Sequence, residues 1–260
     1  MPTRTSPLPR WLRHPLTGAL LLLVLTAGAL LVILRPLPSV KPLMTIETIG
    51  ASVEGRPLLC HFFGEGTRTV FVMASIHGSE GAGTPIAERL MRWLTEHPQP
   101  WAGCRVMVMP VANPDGLAME QRFNARGVDL NRNFPADNRQ EKERYGPAPL
   151  SEPESQALAA LIQRTMPDLI IAIHQPLACV DYDGPPPAEA WANRMAKACG
   201  LKVEKLGARP GSLGAWFGET LHRPIITLEL LPGPAVDPAA LWNRYGPGVV
   251  DLIVNPSPVD

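Results

Sequence analysis

The sequence predicts an α/β fold in which helices cover a mixed, mostly parallel β-sheet, preceded by one N-terminal transmembrane helix. Two observations support this prediction. Short apolar runs, typical of strands buried on both faces, alternate along the chain with amphipathic runs of helical period. Near the N-terminus, one uncharged apolar stretch is long enough to cross a bilayer. Alternation of strands and helices indicates a sheet with helices packed on its faces.

The N-terminal apolar stretch covers residues 15–34, carries no charge and is rich in leucine. At about 1.5 Å per residue it matches the roughly 30 Å core of a bilayer. Three arginines lie before it, which favours a cytoplasmic segment 1–14 and places the following domain outside. We therefore expect a single-pass anchor in the inner (cytoplasmic) membrane. A cleaved signal peptide ending near Ala27-Gly-Ala29, followed by secretion, is the alternative.

A proline-rich linker is expected at residues 35–44, because proline resists helix and donates no backbone hydrogen bond. The globular domain is then expected at residues 45–255. The formal net charge of the 260 residues is +0, which gives no reason to expect nucleic acid as a partner. Oligomeric state is left open, as is the disulfide status of the four cysteines, Cys60, Cys104, Cys179 and Cys199.

The domain contains four apolar runs that predict strands, at residues 69–76, 105–111, 168–173 and 224–231. Four other segments predict helices, at residues 84–96, from 151 onward, at 188–199 and at 238–254. The first helix begins with Thr84 before a proline, and the second with a capping box at Ser151–Glu154. Between them lies a long polar stretch, residues 113–150.

Two histidines directly follow predicted strands, His77 after the first and His174 after the third. Open α/β sheets place their ligand sites beyond the carboxyl ends of the strands, so both side chains can share one crevice. Glu80 lies three residues after His77. A catalytic zinc takes three ligands of the His, Glu or Asp type and keeps one open position. We therefore expect one zinc per chain at His77, Glu80 and His174. The alternative is a chance His-x-x-Glu pair, since a lone histidine at a strand end is more often a hydrogen-bonded structural residue.

Glu229 interrupts an otherwise apolar strand, Ile225-Ile-Thr-Leu-Glu-Leu-Leu231. Burial of a carboxylate is costly unless a charge or hydrogen bond compensates. An edge strand with Glu229 in water is one interpretation. The other is a general base close to the metal, which would accept a proton from water and return it to a leaving amine.

Arg122 and Arg132 lie in the polar stretch 113–150, close to several asparagines. Such a long loop is uncommon in a compact domain unless it is functional. Arginine suits bidentate capture of a carboxylate and can stabilise a developing oxyanion, although any single arginine can equally be a solvated surface residue.

These segments together resemble the zinc carboxypeptidase family. In chain order the matching pieces are His77-Gly-Ser-Glu80, Asn113-Pro-Asp-Gly116, Arg122, Gly127-Val-Asp-Leu-Asn-Arg-Asn-Phe134, His174, Gly211-Ser212 with Trp216, and Thr227-Leu-Glu229. The resemblance implies a carboxypeptidase-like fold and a zinc-dependent peptidase. It also implies the following roles: metal ligands at His77, Glu80 and His174, general base at Glu229, electrophile at Arg122, terminal-carboxylate clamp at Asn131 and Arg132, and an orienting partner of His77 at Asp129.

Three further segments are Ser151-Glu-Pro-Glu-Ser-Gln-Ala-Leu158, His174-Gln-Pro-Leu-Ala-Cys179 and Pro210-Gly-Ser-Leu-Gly-Ala-Trp216. Within the family, these segments resemble bacterial murein peptide amidases, which cleave the γ-D-glutamyl–meso-diaminopimelate bond of cell-wall peptides. The resemblance thus implies a murein peptide as substrate. Arg209 and Asp181, each expected in a loop near a matched motif, are the candidate partners for the distal end of that substrate. Gln175 stands where that group is expected to carry Asp, and Leu206–Gly207 replace the tyrosine of digestive carboxypeptidases. An N-acyl amino acid deacylase and a non-catalytic cell-wall binding module are the alternative functions.

Overall fold

The computed structural model describes residues 44–233 and 237–255. Within these ranges eight strands form one sheet. In chain order they are β1 (Met44–Ala51), β2 (Pro57–Phe63), β3 (Arg68–Ala74), β4 (Cys104–Met109), β5 (Leu169–His174), β6 (Cys179–Asp183), β7 (Lys202–Val203) and β8 (Ile225–Glu229). Across the sheet the order is β1-β2-β4-β3-β5-β8-β6-β7.

Five α-helices accompany the strands in the described part of the chain. They are α1 (Gly83–Glu96), α2 (Pro114–Ala118), α3 (Pro153–Thr165), α4 (Pro187–Cys199) and α5 (Pro238–Val254). Two short 3₁₀ turns, Leu130–Arg132 and Glu143–Tyr145, and a π-helical segment, Gly214–Thr220, complete the set.

The centre of the sheet is parallel, because β4, β3, β5 and β8 pair side by side in the same direction. Antiparallel pairs add β2 and β1 on one side and β6 on the other, and β7 pairs in parallel with β6. The expectation of a mixed, mostly parallel sheet covered by helices is confirmed. All four predicted strands and all four predicted helices are present, with bounds that differ by a few residues.

Each face of the sheet has its own apolar core, because alternate residues of a strand point to opposite faces. Val70 and Val72 of β3 pack on one face with α1, α4 and α5. Phe71 and Met73 of the same strand pack on the other face with α3 and the π-helical segment. Burial on both faces explains why the central strands read as unbroken apolar runs.

The predicted capping box at Ser151–Glu154 is wrong. Glu152 is the N-cap of α3, and its side chain makes no capping hydrogen bond. The Ser151 hydroxyl donates to the Glu152 carboxylate at 2.9 Å, and Glu154 accepts from the Val53 amide at 3.1 Å. Both carboxylates are buried, and that of Glu154 joins the start of α3 to the backbone at Val53.

Among the described residues, no helix has the length and apolarity needed to cross a membrane. The anchor predicted at residues 15–34 and the preceding segment 1–14 lie outside the described residues. So does most of the predicted linker, whose last residue, Met44, is already the first residue of β1.

Candidate metal centre and active site

The site lies at the carboxyl edge of the parallel strands. His174 is the last residue of β5, and Glu229 is the last residue of β8. The two strands pair in register with His174 opposite Glu229. His77 lies three residues beyond the end of β3, the strand on the other side of β5. The ends of the neighbouring strands β3, β5 and β8 thus bring these side chains together at the carboxyl edge of the sheet.

The turn from His77 to Glu80 is shaped by close packing against α2. A Cβ atom at Gly78 would lie 1.9 Å from the backbone carbon of Gly116, so only glycine fits there. The Glu80 amide donates to the His77 carbonyl at 3.0 Å, which closes the turn. Both side chains of the turn therefore point to the same side.

His77, Glu80 and His174 form a buried cluster. One ligand atom from each residue lies within 4.8 Å of the others. The Glu80 carboxylate bridges the two rings, with Oε1 at 2.8 Å from Nδ1 of His77 and Oε2 at 2.8 Å from Nδ1 of His174. The ring centroids are 5.0 Å apart. Both Nδ1 atoms face the space between the three side chains.

Asp129 supports His77 from behind. Its Oδ1 atom lies 3.1 Å from Nε2 of His77 and accepts from the Asn131 amide at 3.0 Å. Its Oδ2 atom accepts from Nε of Arg122 at 3.0 Å. A carboxylate on one ring nitrogen fixes the tautomer, so the other nitrogen is free to bind a metal.

The donor set fits a catalytic zinc. Two imidazole nitrogens and one carboxylate are the ligands that such sites use, with one position open. The cluster is buried, its histidines present the same ring atom, and one of them has the orienting carboxylate that metal-bound histidines usually have.

Mutual contacts shift the ionisation of these groups. Burial alone would lower the pKa of His77, but hydrogen bonds to Asp129 and Glu80 reverse the effect and raise it. Burial opposes ionisation of Glu80, yet bonds from His174 and His77 hold the pKa of Glu80 well below its usual range. The pKa of Asp129 is also held well below its usual range, against the effect of burial, by the hydrogen bond to His77 and by the charges of Arg122 and Arg132.

Glu229 lies beside this cluster and is only 8% exposed. Its strand β8 lies between β5 and β6, so the edge-strand interpretation is wrong for this residue. Oε2 of Glu229 accepts from the Leu177 amide at 3.3 Å. Burial raises the pKa of Glu229, while the charge of His174 opposes the rise.

A cavity of about 600 Å³ opens in front of the cluster. Arg122, Asn131, Arg132 and Glu229 line it together with the three cluster residues. Nη1 of Arg122 donates to Oε1 of Glu80 at 3.2 Å, which places the guanidinium at the edge of the cluster. Oδ1 of Asn131 accepts from the Leu213 amide at 2.8 Å, so its amide group is held in a fixed orientation.

Asp181 and Arg209 also line this cavity. Asp181 is buried, and its Oδ1 accepts from the Leu206 amide at 2.9 Å. Arg209 is exposed. Gln175 supports the turn from His77 to Glu80. Its backbone amide donates to Oε2 of Glu80 at 3.3 Å, and its side-chain Oε1 accepts from the Ala82 backbone amide at 3.1 Å.

Tyr145 and Asp183 are among the cavity residues that the sequence does not single out. Tyr145 belongs to the long polar stretch, residues 113–150, and lines the cavity. Leu206 and Gly207, which stand in the region expected to hold the tyrosine of digestive carboxypeptidases, form another part of the cavity wall. Asp183 belongs to β6, whose alternating acidic residues hide a strand pattern. A period of two in Cys179-Val-Asp-Tyr-Asp183 was the signal that could have found it.

Comparison with known proteins identifies the family of the chain. The family model for zinc carboxypeptidases matches residues 37–205. Murein peptide amidase A of Escherichia coli K12 is 34% identical over 205 residues, which are 72% of this chain and 81% of the relative. The enzyme of the same name from Vibrio campbellii is 31% identical over 211 residues, covering 73% and 81%.

Solved structures show the same fold. The crystal structure of murein-tripeptide amidase from Escherichia coli O157 superposes with a TM-score of 0.64 and 28% identity, over 87% of this chain and 96% of that one. Bovine thrombin-activatable fibrinolysis inhibitor superposes with a TM-score of 0.70 at 18% identity, over 82% and 89%. The chain belongs to the zinc carboxypeptidase family and is a hydrolase of peptide bonds.

Proposed function

We propose that the protein is a zinc-dependent amidase that cleaves an amide bond next to a free carboxylate, namely the γ-D-glutamyl–meso-diaminopimelate bond of murein peptides. The observation that carries the proposal is the shared cavity, in which a His-Glu-His cluster, a buried glutamate and an Asn-Arg pair face one another. Similarity to murein peptide amidases supports this choice of substrate.

His77, Glu80 and His174 would hold one zinc ion per chain. When bound, zinc supplies a Lewis acid that lowers the pKa of a water molecule and polarises a carbonyl. Asp129 keeps His77 in the tautomer that presents Nδ1 to the ion, since it binds Nε2.

Glu229 acts as the general base. Its carboxylate accepts a proton from the attacking water and then donates that proton to the leaving amine. The Leu177 amide holds Oε2 in position, and burial makes the carboxylate a stronger base than one in water.

Arg122 stabilises the charge that develops on the carbonyl oxygen. Its guanidinium is held by Asp129 and Glu80, so it is oriented before substrate arrives. Donors oriented in advance are worth more than mobile ones, because they need not reorganise during the reaction.

Asn131 and Arg132 bind the free α-carboxylate of the residue that is released. A guanidinium forms charge-assisted bonds with a carboxylate, and the neighbouring amide adds a neutral donor. With this carboxylate bound, the scissile amide lies next to it and in reach of Glu229, which lines the same cavity.

The decisive experiment combines zinc removal with a base substitution. A tripeptide ending in meso-diaminopimelate is incubated with the protein, and products are identified by mass. A chelator is expected to abolish cleavage and added zinc to restore it. Glu229→Gln is expected to retain zinc while turnover falls on the order of 10²–10⁴-fold.

Glu96→Gln is the matched control, because Glu96 is exposed at the far end of α1. It is expected to cleave at the wild-type rate. Full activity in a sample shown by elemental analysis to contain no metal would contradict the zinc proposal. Wild-type turnover by zinc-loaded Glu229→Gln would assign the base to another residue.

We further propose that residues 15–34 hold this domain at the outer face of the cytoplasmic membrane. The length and apolarity of the segment and the arginines before it support this location. The substrate, a cell-wall peptide, is found on the same side.

A further inference from the structure

Asn113 holds the backbone that leads into His77. It is fully buried and follows β4, the strand next to β3 in the sheet. The Asn113 backbone amide donates to the Ser75 carbonyl at 3.0 Å, and its side-chain Nδ2 donates to the Ile76 carbonyl at 3.3 Å. A single residue therefore binds the two consecutive carbonyls that precede His77.

The same side chain also supports the backbone that follows His77. Oδ1 of Asn113 accepts from the Gly116 amide at 2.9 Å and so caps α2. Gly116 packs directly against Gly78, the residue after His77. A Cβ atom at Gly116 would lie 2.4 Å from Nδ2 of Asn113, so these residues are packed without space for one more methyl group. Asn113 thus restrains His77 from both sides along the chain.

The backbone before His77 has a conformation that needs such support. Ser75 has a φ of 52°, in the left-handed region that residues other than glycine rarely adopt. A conformation of this kind persists only where the surrounding structure determines it. The Ser75 hydroxyl lies 2.8 Å from Oγ1 of Thr84 in α1, and its carbonyl is bound by Asn113. The path of the chain into His77 is therefore fixed by α1 and Asn113 together.

Asn113 reaches the metal site only through the backbone. It is absent from the described residues that line the active-site cavity, so it has no direct route to a substrate. A metal site needs its ligands held to within about 0.5 Å, which requires support behind the ligands themselves. Asp129 gives this support to the ring of His77, whereas Asn113 gives it to the backbone that carries the ring.

We propose that Asn113 is a positioning residue of the metal site, which keeps Nδ1 of His77 in place to bind zinc by holding the chain on both sides of His77. This inference rests on the proposed zinc site. It gives the two contacts of the Asn113 amide group separate tasks. The donor holds the approach to His77, and the acceptor holds α2 against Gly78.

The test measures the zinc dissociation constant of the full-length protein by competition with a coloured chelator. Asn113→Ala removes the donor to Ile76 and the cap of α2 together. It is expected to weaken zinc binding by about 10- to 100-fold, as the loss of a group that supports a metal ligand usually does. Far-ultraviolet circular dichroism of the same samples shows whether each variant is folded.

Asn113→Asp separates the two contacts. Its carboxylate can still accept from the Gly116 amide, but an ionised carboxylate cannot donate to the Ile76 carbonyl. Zinc binding is expected to weaken by at least about tenfold although α2 keeps its cap. Cobalt(II) bound in place of zinc gives a visible spectrum that depends on the arrangement of the ligands, and this spectrum is expected to change in both variants.

Leu252→Ala is the matched control for a loss of stability far from the metal. Leu252 is buried in α5, and its carbonyl accepts from Arg68 at the start of β3, the end of that strand opposite His77. The cavity that this substitution leaves should destabilise the fold. Zinc affinity should stay within about twofold of the wild type, and the cobalt spectrum should be unchanged, because distant sites act independently.

Wild-type zinc affinity and a wild-type cobalt spectrum in folded Asn113→Asp would overturn the inference, whether or not Asn113→Ala folds. An equal loss of affinity in Leu252→Ala would do so too, since stability alone would then explain the effect. If neither Asn113 variant folds, the residue serves the fold and not the metal site in particular, and the inference is wrong. A wild-type protein that binds no zinc would reject the zinc site itself, and this inference with it.

Discussion

At the scale of single residues, Asp129 connects two parts of the proposed machinery. One oxygen binds His77 and the other binds Arg122, so a single carboxylate orients a metal ligand and an electrophile. Asp129→Ala is expected to weaken zinc affinity by about 10- to 100-fold, because His77 loses the group that fixes its tautomer. Competition with a coloured chelator measures this affinity.

Asp137→Ala is the control for that measurement, since Asp137 is an exposed aspartate of the same stretch of chain. Its zinc affinity should equal that of the wild type. If Asp129→Ala also binds zinc as tightly as the wild type, Asp129 does not orient His77.

A second residue-scale prediction concerns stability and pH. The pKa of Asp183 rises on folding from an ordinary 3.8 to about 7, so the folded state holds this proton more tightly. The resulting stabilisation is fully present below about pH 4 and is lost as pH rises through about 7. Asp183→Asn lacks this titration.

The free energy of unfolding, measured by urea titration of ligand-free protein, should therefore fall more steeply in the wild type than in Asp183→Asn between pH 5 and pH 8. The difference between the two proteins should change by on the order of 2 kcal/mol. Parallel pH profiles would show that Asp183 has an ordinary pKa in the folded state.

At the scale of elements, Asn133 holds the polar stretch around the site together. Its amide donates to the carbonyls of Tyr145 and Ala148, at 2.8 and 3.0 Å. Its Oδ1 accepts from the Glu152 amide and the Ser155 hydroxyl at the start of α3, at 3.2 and 2.6 Å. The residue before it, Arg132, is thereby anchored.

Asn133→Ala is expected to destabilise the protein by about 2–4 kcal/mol, because several buried polar groups lose their partner together. Urea unfolding measures the loss. Asn193→Ala on the exposed side of α4 removes one surface hydrogen bond and should change stability by less than about 0.5 kcal/mol. Equal effects of both substitutions would refute a central role for Asn133.

The success of sequence prediction also differed among elements. Strands β3, β5 and β8 could be predicted, because burial on both faces leaves a continuous apolar run. Strand β6 was not predicted, because Asp181 and Asp183 face a polar cavity and aspartate is unfavourable in strands, which leaves the period of two as its only signal. The π-helical segment was missed as well. Its Gly214 and Gly218 lie against Asp183, a contact between residues that are distant in the sequence.

In the candidate site, too, some residues could be predicted from the sequence and others could not. His77, Glu80 and His174 could be proposed as a group because chain order and strand ends place them at one edge of the sheet. For Asp183, the period of two could indicate a position on a strand but not a place in the site. Its distinctive property is the absence of a partner, and only the three-dimensional arrangement of neighbours reveals that.

At the scale of the whole molecule, the proposed anchor predicts where the domain is found. Protease added to intact spheroplasts should remove the domain, because residues 15–34 would hold it on the outer side. A cytoplasmic marker protein in the same sample should survive. Digestion only after lysis, or a soluble protein that lacks residues 16–34, would contradict the anchor.

The pairing of His174 with Glu229 restricts how the gene can change length. The two residues meet because β5 and β8 are in register, and a one-residue insertion or deletion within either strand would turn its terminal side chain to the opposite face. Codon gains and losses should therefore accumulate in the connections, such as residues 97–103 between α1 and β4, and be purged from these two strands. Engineered changes of loop length are restricted in the same way: they can be made in the connections but not within β5 or β8.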